Sequence, residues 1–286
     1  MAAKENAQYK NSVFVDLFYE DEKAEENEAS LYNALHEEPL PEGTKIEKFR
    51  VEDVLFMNFK NDISFGVEGR VMVFGEHQST VNENMPLRSL MYIARAYESI
   101  VSVRNRYKKG KVKLPKPEFF TFYNGEQEWA KEKILKLSDS YKVEDDDPML
   151  ELKVKMININ PEENHEVLEK CPILKEYSLF VSKVRELIQK GDAEAYKHAI
   201  QSCINQGILA EYLKKKGSEV VNMLVAEYDY DMDIEVQREE AYQDGERNLL
   251  KHLVEKKLSK GYTAEEISDM LEESLEKIEK IMKELS

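Results

Sequence analysis

The segment "NDISFGVEGRVMVFGEHQST" at positions 61–80 constrains the fold more than any other part of the chain. Two runs rich in Val, Ile and Phe flank Glu68-Gly69, a pattern typical of a β-hairpin with a tight turn. The hairpin leads directly into segment 85–107, where apolar residues recur every three or four positions and Pro86 lies in the first turn. We therefore predict a mixed α and β region built around this hairpin.

Further strand signals occur at 118–125 and 150–160, and from about position 162 onward nearly all signals are helical. The tail is typical of a helix pair that opens with a capping box of Thr263 and Glu266. The fold class predicted from this order is α+β, with a mixed central sheet flanked by helices and a helical C-terminal extension. The sequence contains neither GxGxxG nor GxxxxGK[ST], which argues against dinucleotide and P-loop chemistry.

The charge balance limits the classes of partner. The chain has 57 Asp and Glu against 41 Lys and Arg, a formal net charge of -16, which works against nucleic acid unless positive charge is collected locally. Positions 104–116, "RNRYKKGKVKLPK", collect seven basic residues and no acidic one, and we call this segment the basic strip. Two interpretations stay open, a solvated helix end or a nucleic-acid contact made by Arg104, Arg106, Lys108, Lys109, Lys111 and Lys113.

Targeting signals are not evident in the sequence. The first thirty residues have no apolar signal core, and no window approaches the roughly 18 apolar residues of a membrane span. Cys171 and Cys203 are not in a metal-ligand spacing, and we interpret both as core thiols. We expect a cytoplasmic protein without a membrane partner.

Polar residues at the ends of the two hairpin strands form a candidate site. Glu76 and Gln78 are two apart on a strand and therefore project from one face, whereas His77 points to the other face as a packing residue. Asp62 opens the preceding strand. Carboxylates are the hard oxygen ligands that Mg²⁺ prefers, and an amide can orient a water or a phosphate.

The following helix places Arg88 four residues before Tyr92, so both can face the site or both the sheet. Arg88 is either an electrostatic helper in catalysis or a structural partner of a strand carboxylate. A two-residue Glu68-Gly69 turn would set Asp62 opposite Gly75, away from the face that carries the candidate site. We therefore predict a bulge, placed at Gly75, or a loop of odd length.

These residues also carry a resemblance. Asp62, "EHQST" around Glu76 and Gln78, and "NMPLRSLMYIARAYE" resemble the recombination-promoting nuclease and putative transposase family of the PD-(D/E)XK nuclease superfamily. The segments "NDISF", "FYNG", "LKLSD", "VKMININ" and "KGYTAEEISDMLEES" extend the likeness. The resemblance implies a restriction-endonuclease-like core in which Asp62 and Glu76 hold Mg²⁺, with Mn²⁺ as a substitute, and which cuts DNA endonucleolytically, with the duplex as the expected partner.

Much of the superfamily has a lysine in the position of Gln78, although the glutamine is usual in the family that this sequence resembles. Charge stabilisation must then come from the metal and from other cations. A weaker candidate is Glu28, since many superfamily members place an additional carboxylate on a first helix, although Glu25 and Glu26 are interchangeable with it in the sequence.

We expect a nuclease core over 1–190, a helical extension packing on it over 191–245, and a C-terminal helix pair over 246–286. Alternating Lys and Glu on the last helix favour packing or homo-oligomerisation over DNA reading. The leading hypothesis is a metal-dependent DNA endonuclease associated with recombination or mobile elements. The alternative is a catalytically inactive scaffold or interaction protein, which the acidity and the helical tail favour, and RNA stays open as a substrate.

Overall fold

Six strands form one mixed sheet in the computed structural model, which describes residues 12–48 and 62–285. They are β1 Ile46–Lys48, β2 Ile63–Val67, β3 Val71–Gln78, β4 Lys116–Tyr123, β5 Glu132–Lys136 and β6 Lys153–Asn158. Their spatial order is β1-β2-β3-β4-β6-β5. The strands β3, β4 and β6 are parallel, whereas β1–β2, β2–β3 and β5–β6 are antiparallel pairs. Asn61, where the predicted hairpin begins, lies outside the described residues.

Helices precede, separate and follow the strands, and they make up nearly all of the described chain after β6. They are α1 Val13–Val15, α2 Ala24–Leu35, α3 Met85–Ile100, α4 Val103–Arg106, α5 Glu166–Lys170, α6 Pro172–Gln189, α7 Ala195–Gln206, α8 Ala210–Leu258, α9 Ala264–Leu271 and α10 Leu275–Leu285. A π-helical turn, Asp16–Glu20, follows α1. This architecture confirms the predicted α+β class with a mixed sheet and a helical C-terminal region.

Each face of the sheet packs against its own set of helices. On one face Phe74 joins a core with Tyr92 of α3. On the other face Val73 and Phe122 join a larger core with Tyr177 of α6. Because side chains alternate along a strand, neighbouring residues of β3 are committed to different cores. Residues on the Phe74 face are therefore brought under α3.

The helix after the hairpin is shorter than predicted. It begins as expected, with Pro86 in its first turn, but α3 ends at Ile100, and Val101 is extended. Ser102 then starts the separate α4 by accepting a hydrogen bond from the backbone N–H of Asn105. Most of the basic strip is therefore an exposed loop between α4 and β4, and the interpretation of the strip as a helix end is wrong for residues 107–115.

The chain divides into two compact units, Met1–Leu224 and Val225–Ser286. The predicted boundaries at 190 and 245 stay predictions. The second unit has its own small core, formed by Leu250, Val254, Ile267, Ile278 and Ile281. The predicted capping box of Thr263 and Glu266 is confirmed at the start of α9. In the described part of the chain, no helix combines the length and the apolar composition that crossing a membrane requires.

Candidate active site

The hairpin of β2 and β3 closes through a three-residue loop, residues 68–70. Pairing is regular from Val67 opposite Val71 to Ile63 opposite Gly75. The first two loop residues have positive φ angles of 49° and 64°. The N–H of the third donates a hydrogen bond of 2.9 Å back to the last residue of β2. The predicted two-residue turn is therefore wrong, and the alternative of an odd-length loop is confirmed.

This register brings Asp62 and Glu76 to the same face. The last pair of the ladder is Ile63 opposite Gly75, so the register extended by one residue sets Asp62 opposite Glu76, and opposite residues of antiparallel strands share a face. Asp62 Oδ2 accepts a hydrogen bond of 2.7 Å from the backbone N–H of His77. The predicted bulge at Gly75 is wrong. Glycine fits there because a Cβ would lie 2.7 Å from Cγ1 of Ile63.

The carboxylate of Glu76 is buried and only partly satisfied by hydrogen bonds. Its Oε2 lies 3.0 Å from Nη2 of Arg88, and the Tyr92 hydroxyl also bonds the carboxylate. The same Nη2 donates to the Tyr92 hydroxyl at 3.0 Å. Among the described residues, Oε1 of Glu76 has no hydrogen-bond partner. Arg88 thus has the geometry of a strand carboxylate's partner, and a role toward substrate stays a prediction.

Burial shifts the titration of this cluster. It raises the pKa of Glu76, and the neighbouring Asp62 carboxylate raises it further, whereas Arg88 and the Tyr92 hydroxyl act in the opposite direction. Burial also raises the pKa of Tyr92, so its hydroxyl remains a donor across the physiological range. Because the charge of Asp62 raises the pKa of Glu76, any positive charge placed between the two carboxylates favours their ionised forms.

Gln78 and Thr121 extend the same face. Nε2 of Gln78 donates to Sδ of Met85 at 2.7 Å, and within the described residues its Oε1 has no partner. Thr121 pairs with Glu76 in the β3–β4 ladder, is fully buried, and has a hydroxyl that is likewise unpartnered there. Our sequence reasoning missed Thr121. Its signal was a lone hydroxyl in the aromatic run "FFTFY".

Oxygen atoms of Asp62, Glu76 and Gln78 form a donor set that suits Mg²⁺. This ion is usually bound through one or two carboxylates and keeps several waters. Buried oxygens are nearly always hydrogen-bonded, so the unpartnered Oε1 atoms of Glu76 and Gln78 mark acceptor positions that a cation can fill. Within residues 12–48 and 62–285, no group of three or more His, Cys, Asp or Glu side chains could hold a metal ion. An ion here would rely on two carboxylates, the amide and water.

The first-helix candidate, Glu28, lies apart from this set. It is fully buried on α2, and in the described residues neither carboxylate oxygen has a hydrogen-bond partner. Burial raises the pKa of Glu28 to about 8. The charges that act on it come from Lys48 and Glu25 rather than from Asp62 or Glu76. A role for Glu28 as a ligand therefore stays a prediction.

His77 projects away from the site, as predicted for a packing residue. Its ring stacks on Phe14 with centroids 5.1 Å apart, and its Nε2 lies 3.0 Å from the hydroxyl of Tyr177. Burial lowers the pKa of His77 to about 3, and the charge of Arg185 lowers it further, so the ring is neutral. A neutral ring committed to packing is not placed to act as a base on the opposite face.

The basic strip ends away from the site. Its last residue, Lys116, is opposite Val71 in the β3–β4 ladder, and Glu76 lies five residues further along β3. At about 3.3 Å per residue the two positions are roughly 16 Å apart. Arg106 is tied to the backbone and the carboxylate of Glu98. In the described part of the chain the following cations of the strip form no ion pair: Arg104, Lys108, Lys109, Lys111 and Lys113.

The comparisons with known proteins give one match. A family model described as "Putative transposase, YhgA-like" matches residues 46–207, which is more than half of the 286-residue chain. The matched part contains both hairpin strands, α3 and α6. The comparison with curated proteins gave no match, and neither did the comparison with solved structures. The match associates the chain with a mobile-element or recombination-related role without specifying a reaction.

Proposed function

Because the chain belongs to the YhgA-like putative transposase family, we propose that it is a Mg²⁺-dependent endonuclease of PD-(D/E)XK type that hydrolyses duplex DNA in recombination or transposition. The observation that carries this proposal is the convergence of Asp62, Glu76 and Gln78 on one sheet face, where two buried oxygens have no partner within the described residues. The association with transposition favours DNA over RNA as the substrate.

Each side chain of the candidate site has a proposed role that follows from its chemistry. Asp62 and Glu76 would hold the ion, and bound Mg²⁺, or Mn²⁺ in its place, would supply Lewis-acid chemistry at the scissile phosphate. The amide of Gln78 would orient the attacking water or a phosphate oxygen, because its carbonyl can accept a hydrogen bond and its NH₂ can donate one. Arg88 would supply the fixed positive charge that glutamine lacks. Tyr92 would keep the guanidinium of Arg88 in place.

The basic strip would bind DNA away from the cut. The strip ends at Lys116, roughly 16 Å from Glu76, and a strand of duplex DNA rises about 3.4 Å per nucleotide, so the cations that precede Lys116 would contact phosphates about five or more base pairs from the cut. The strip would therefore contact the backbone on one side of the scissile bond and contribute affinity without contributing chemistry. Wild-type protein should bind a substrate with a duplex arm shorter than this distance weakly. Its affinity should equal that of a variant with a neutralised strip for a long duplex.

The geometry also supports an inactive scaffold as a second candidate. The Glu76 carboxylate already has a cationic partner in Arg88, at 3.0 Å, and Gln78 occupies the position where much of the superfamily has a lysine. A scaffold would keep this ion pair as a structural contact. It would bind neither Mg²⁺ nor Mn²⁺ in a manner that depends on Asp62.

Plasmid nicking separates the two functions. The wild-type protein should nick supercoiled plasmid with Mg²⁺ and not with EDTA, and Asp62→Ala and Glu76→Ala should lose this activity. Calorimetric titration with Mn²⁺ should give heat for the wild type and none for Asp62→Ala. Equal nicking by all three proteins would remove the assignment. Parallel reactions with single-stranded DNA, duplex DNA and RNA would identify the substrate class.

A further inference from the structure

Helix α6 packs on the sheet face opposite the candidate site, yet two of its side chains reach the end of β3 that carries the site. Tyr177 contacts His77, and Arg185 contacts Asn124 next to the β3 terminus. The two residues are eight positions apart, which is about two turns of helix. One helix thus contacts two residues that adjoin the site, the ring of His77 and the residue Asn124.

The first connection runs through His77. The Tyr177 hydroxyl lies 3.0 Å from His77 Nε2, and the backbone N–H of His77 donates to Asp62 Oδ2 at 2.7 Å. His77 lies between Glu76 and Gln78 in the strand. Because successive side chains of a strand point to opposite faces, fixing the His77 ring on one face fixes the directions of both site residues on the other.

The second connection runs through Asn124. Nη1 of Arg185 donates to Asn124 Oδ1 at 2.8 Å, and Nη2 donates to the carbonyl oxygen of Asn124. The backbone N–H of Asn124 in turn donates to the carbonyl of Gln78 at 2.9 Å. Arg185 also reaches Oδ1 of Asn160 at 3.4 Å. The guanidinium therefore holds the segment that anchors the last residue of β3.

We propose that Tyr177 and Arg185 are positioning residues of the hydrolytic site, which set the directions of Asp62, Glu76 and Gln78 through His77 and Asn124. This inference rests on the proposed function. In this assignment neither side chain needs to touch substrate or metal. Tyr177 acts on the carboxylates that hold the ion, whereas Arg185 acts on the amide that orients the reacting groups. Residues that support metal ligands in this indirect way typically change affinity or activity roughly 10-fold to 100-fold when they are substituted.

The test uses the full chain with Tyr177→Phe and Arg185→Gln, and it measures single-turnover cleavage, duplex affinity and Mn²⁺ binding by calorimetry. Tyr177→Phe keeps the ring and removes one hydroxyl, so it should weaken Mn²⁺ binding and slow cleavage roughly 10-fold to 100-fold. Arg185→Gln should slow cleavage to a similar extent without changing Mn²⁺ affinity. Duplex affinity should be unchanged in both variants.

Two controls separate positioning from general destabilisation. Val184→Ala removes buried methyl groups from the same helix without touching either connection, and it should lower thermal stability without slowing cleavage by folded molecules. Asp62→Ala reports on the proposed function itself. If Asp62→Ala abolishes Mn²⁺ binding and cleavage while Tyr177→Phe and Arg185→Gln behave like wild type or like Val184→Ala, the positioning role is wrong. If Asp62→Ala also behaves like wild type, the proposed function is wrong and the positioning role has no site to serve.

Discussion

Nη2 of Arg88 lies 3.0 Å from Oε2 of Glu76, so the following helix provides the counter-charge for a buried carboxylate of the candidate metal site. The ion pair opposes the combined effect of burial and Asp62, both of which raise the pKa of Glu76. A bound divalent ion would act in the same direction as Arg88. Arg88 therefore offsets part of the cost of burying the Glu76 carboxylate beside Asp62 before metal binds.

Replacing Arg88 should make folding depend on metal. Arg88→Met leaves a buried carboxylate without its cationic partner, and we expect the free energy of unfolding without metal to fall by about 3 kcal/mol. Saturating Mg²⁺ should raise the melting temperature of Arg88→Met more than that of the wild type. Arg95→Met is the matched control, since Arg95 pairs with the more exposed Glu98. Equal Mg²⁺ shifts in Arg88→Met and wild type would contradict a shared site.

Neutralising the basic strip should weaken DNA binding and its salt dependence together. The quadruple change of Lys108, Lys109, Lys111 and Lys113 to Ser removes up to four phosphate contacts. The slope of log K against log salt should become shallower by about 3 to 4, with the cleavage rate at saturating DNA unchanged. Fluorescence anisotropy at several salt concentrations measures this slope.

The matched control for the strip is Lys116→Ser, because Lys116 Nζ is held 2.5 Å from Glu118. This single change should leave both the affinity and the salt slope close to wild type. A quadruple variant with an unaltered slope would show that the strip does not contact phosphate.

His36 should make stability depend on pH. Its two ring nitrogens lie 2.7 Å from acceptors, the carbonyl of Tyr32 and the carboxylate of Glu118, so both must carry protons. The hydrogen bond that His36 donates to the Glu118 carboxylate raises the pKa of His36 above its ordinary value. A raised folded-state pKa means that the contribution to stability is fully present below about pH 6.5, the unfolded value, and is lost as the pH rises through the folded value.

Urea unfolding of wild type and His36→Gln measures this dependence. The difference in unfolding free energy should be largest in mildly acidic buffer and should shrink as the pH rises toward alkaline values. A difference that stays constant across the pH range would show that His36 contributes packing alone.

The sequence allowed the hairpin and the start of α3 to be predicted because these features are local. Alternating apolar residues and the position of Pro86 depend on neighbours in the chain. The length of the loop between β2 and β3 could not be predicted in the same way. Glu68 adopts a positive φ, which non-glycine residues seldom do, so nothing in the residue types distinguishes a three-residue loop from a Glu68-Gly69 turn.

The short edge strands and the neighbours of the site residues could not be predicted from the sequence, because they depend on tertiary geometry. The short strands β1 and β5 are held by pairing with β2 and β6, and the sequence signal of a three-residue or five-residue strand is weak. The position of Thr121 beside Glu76 follows from the register of the parallel β3–β4 pair. No periodicity within either segment encodes that register, whereas the choice of Asp62, Glu76 and Gln78 needed only the strand alternation and the resemblance.

Gly125 should be essential to the geometry of the site, because the segment after β4 passes very close to the end of β3. A Cβ on Gly125 would clash with the carbonyl oxygen of Ser79 and with the Tyr123 hydroxyl. Gly125→Ala should therefore displace this segment, lower the free energy of unfolding by about 1 to 3 kcal/mol, and slow cleavage through the neighbouring Gln78. Gly110→Ala, which has no atom within 4 Å of the added methyl group, should change neither stability nor cleavage. Thermal unfolding and nicking assays on the two variants measure both effects, and a Gly125→Ala protein with wild-type stability and activity would contradict the close packing of the two segments.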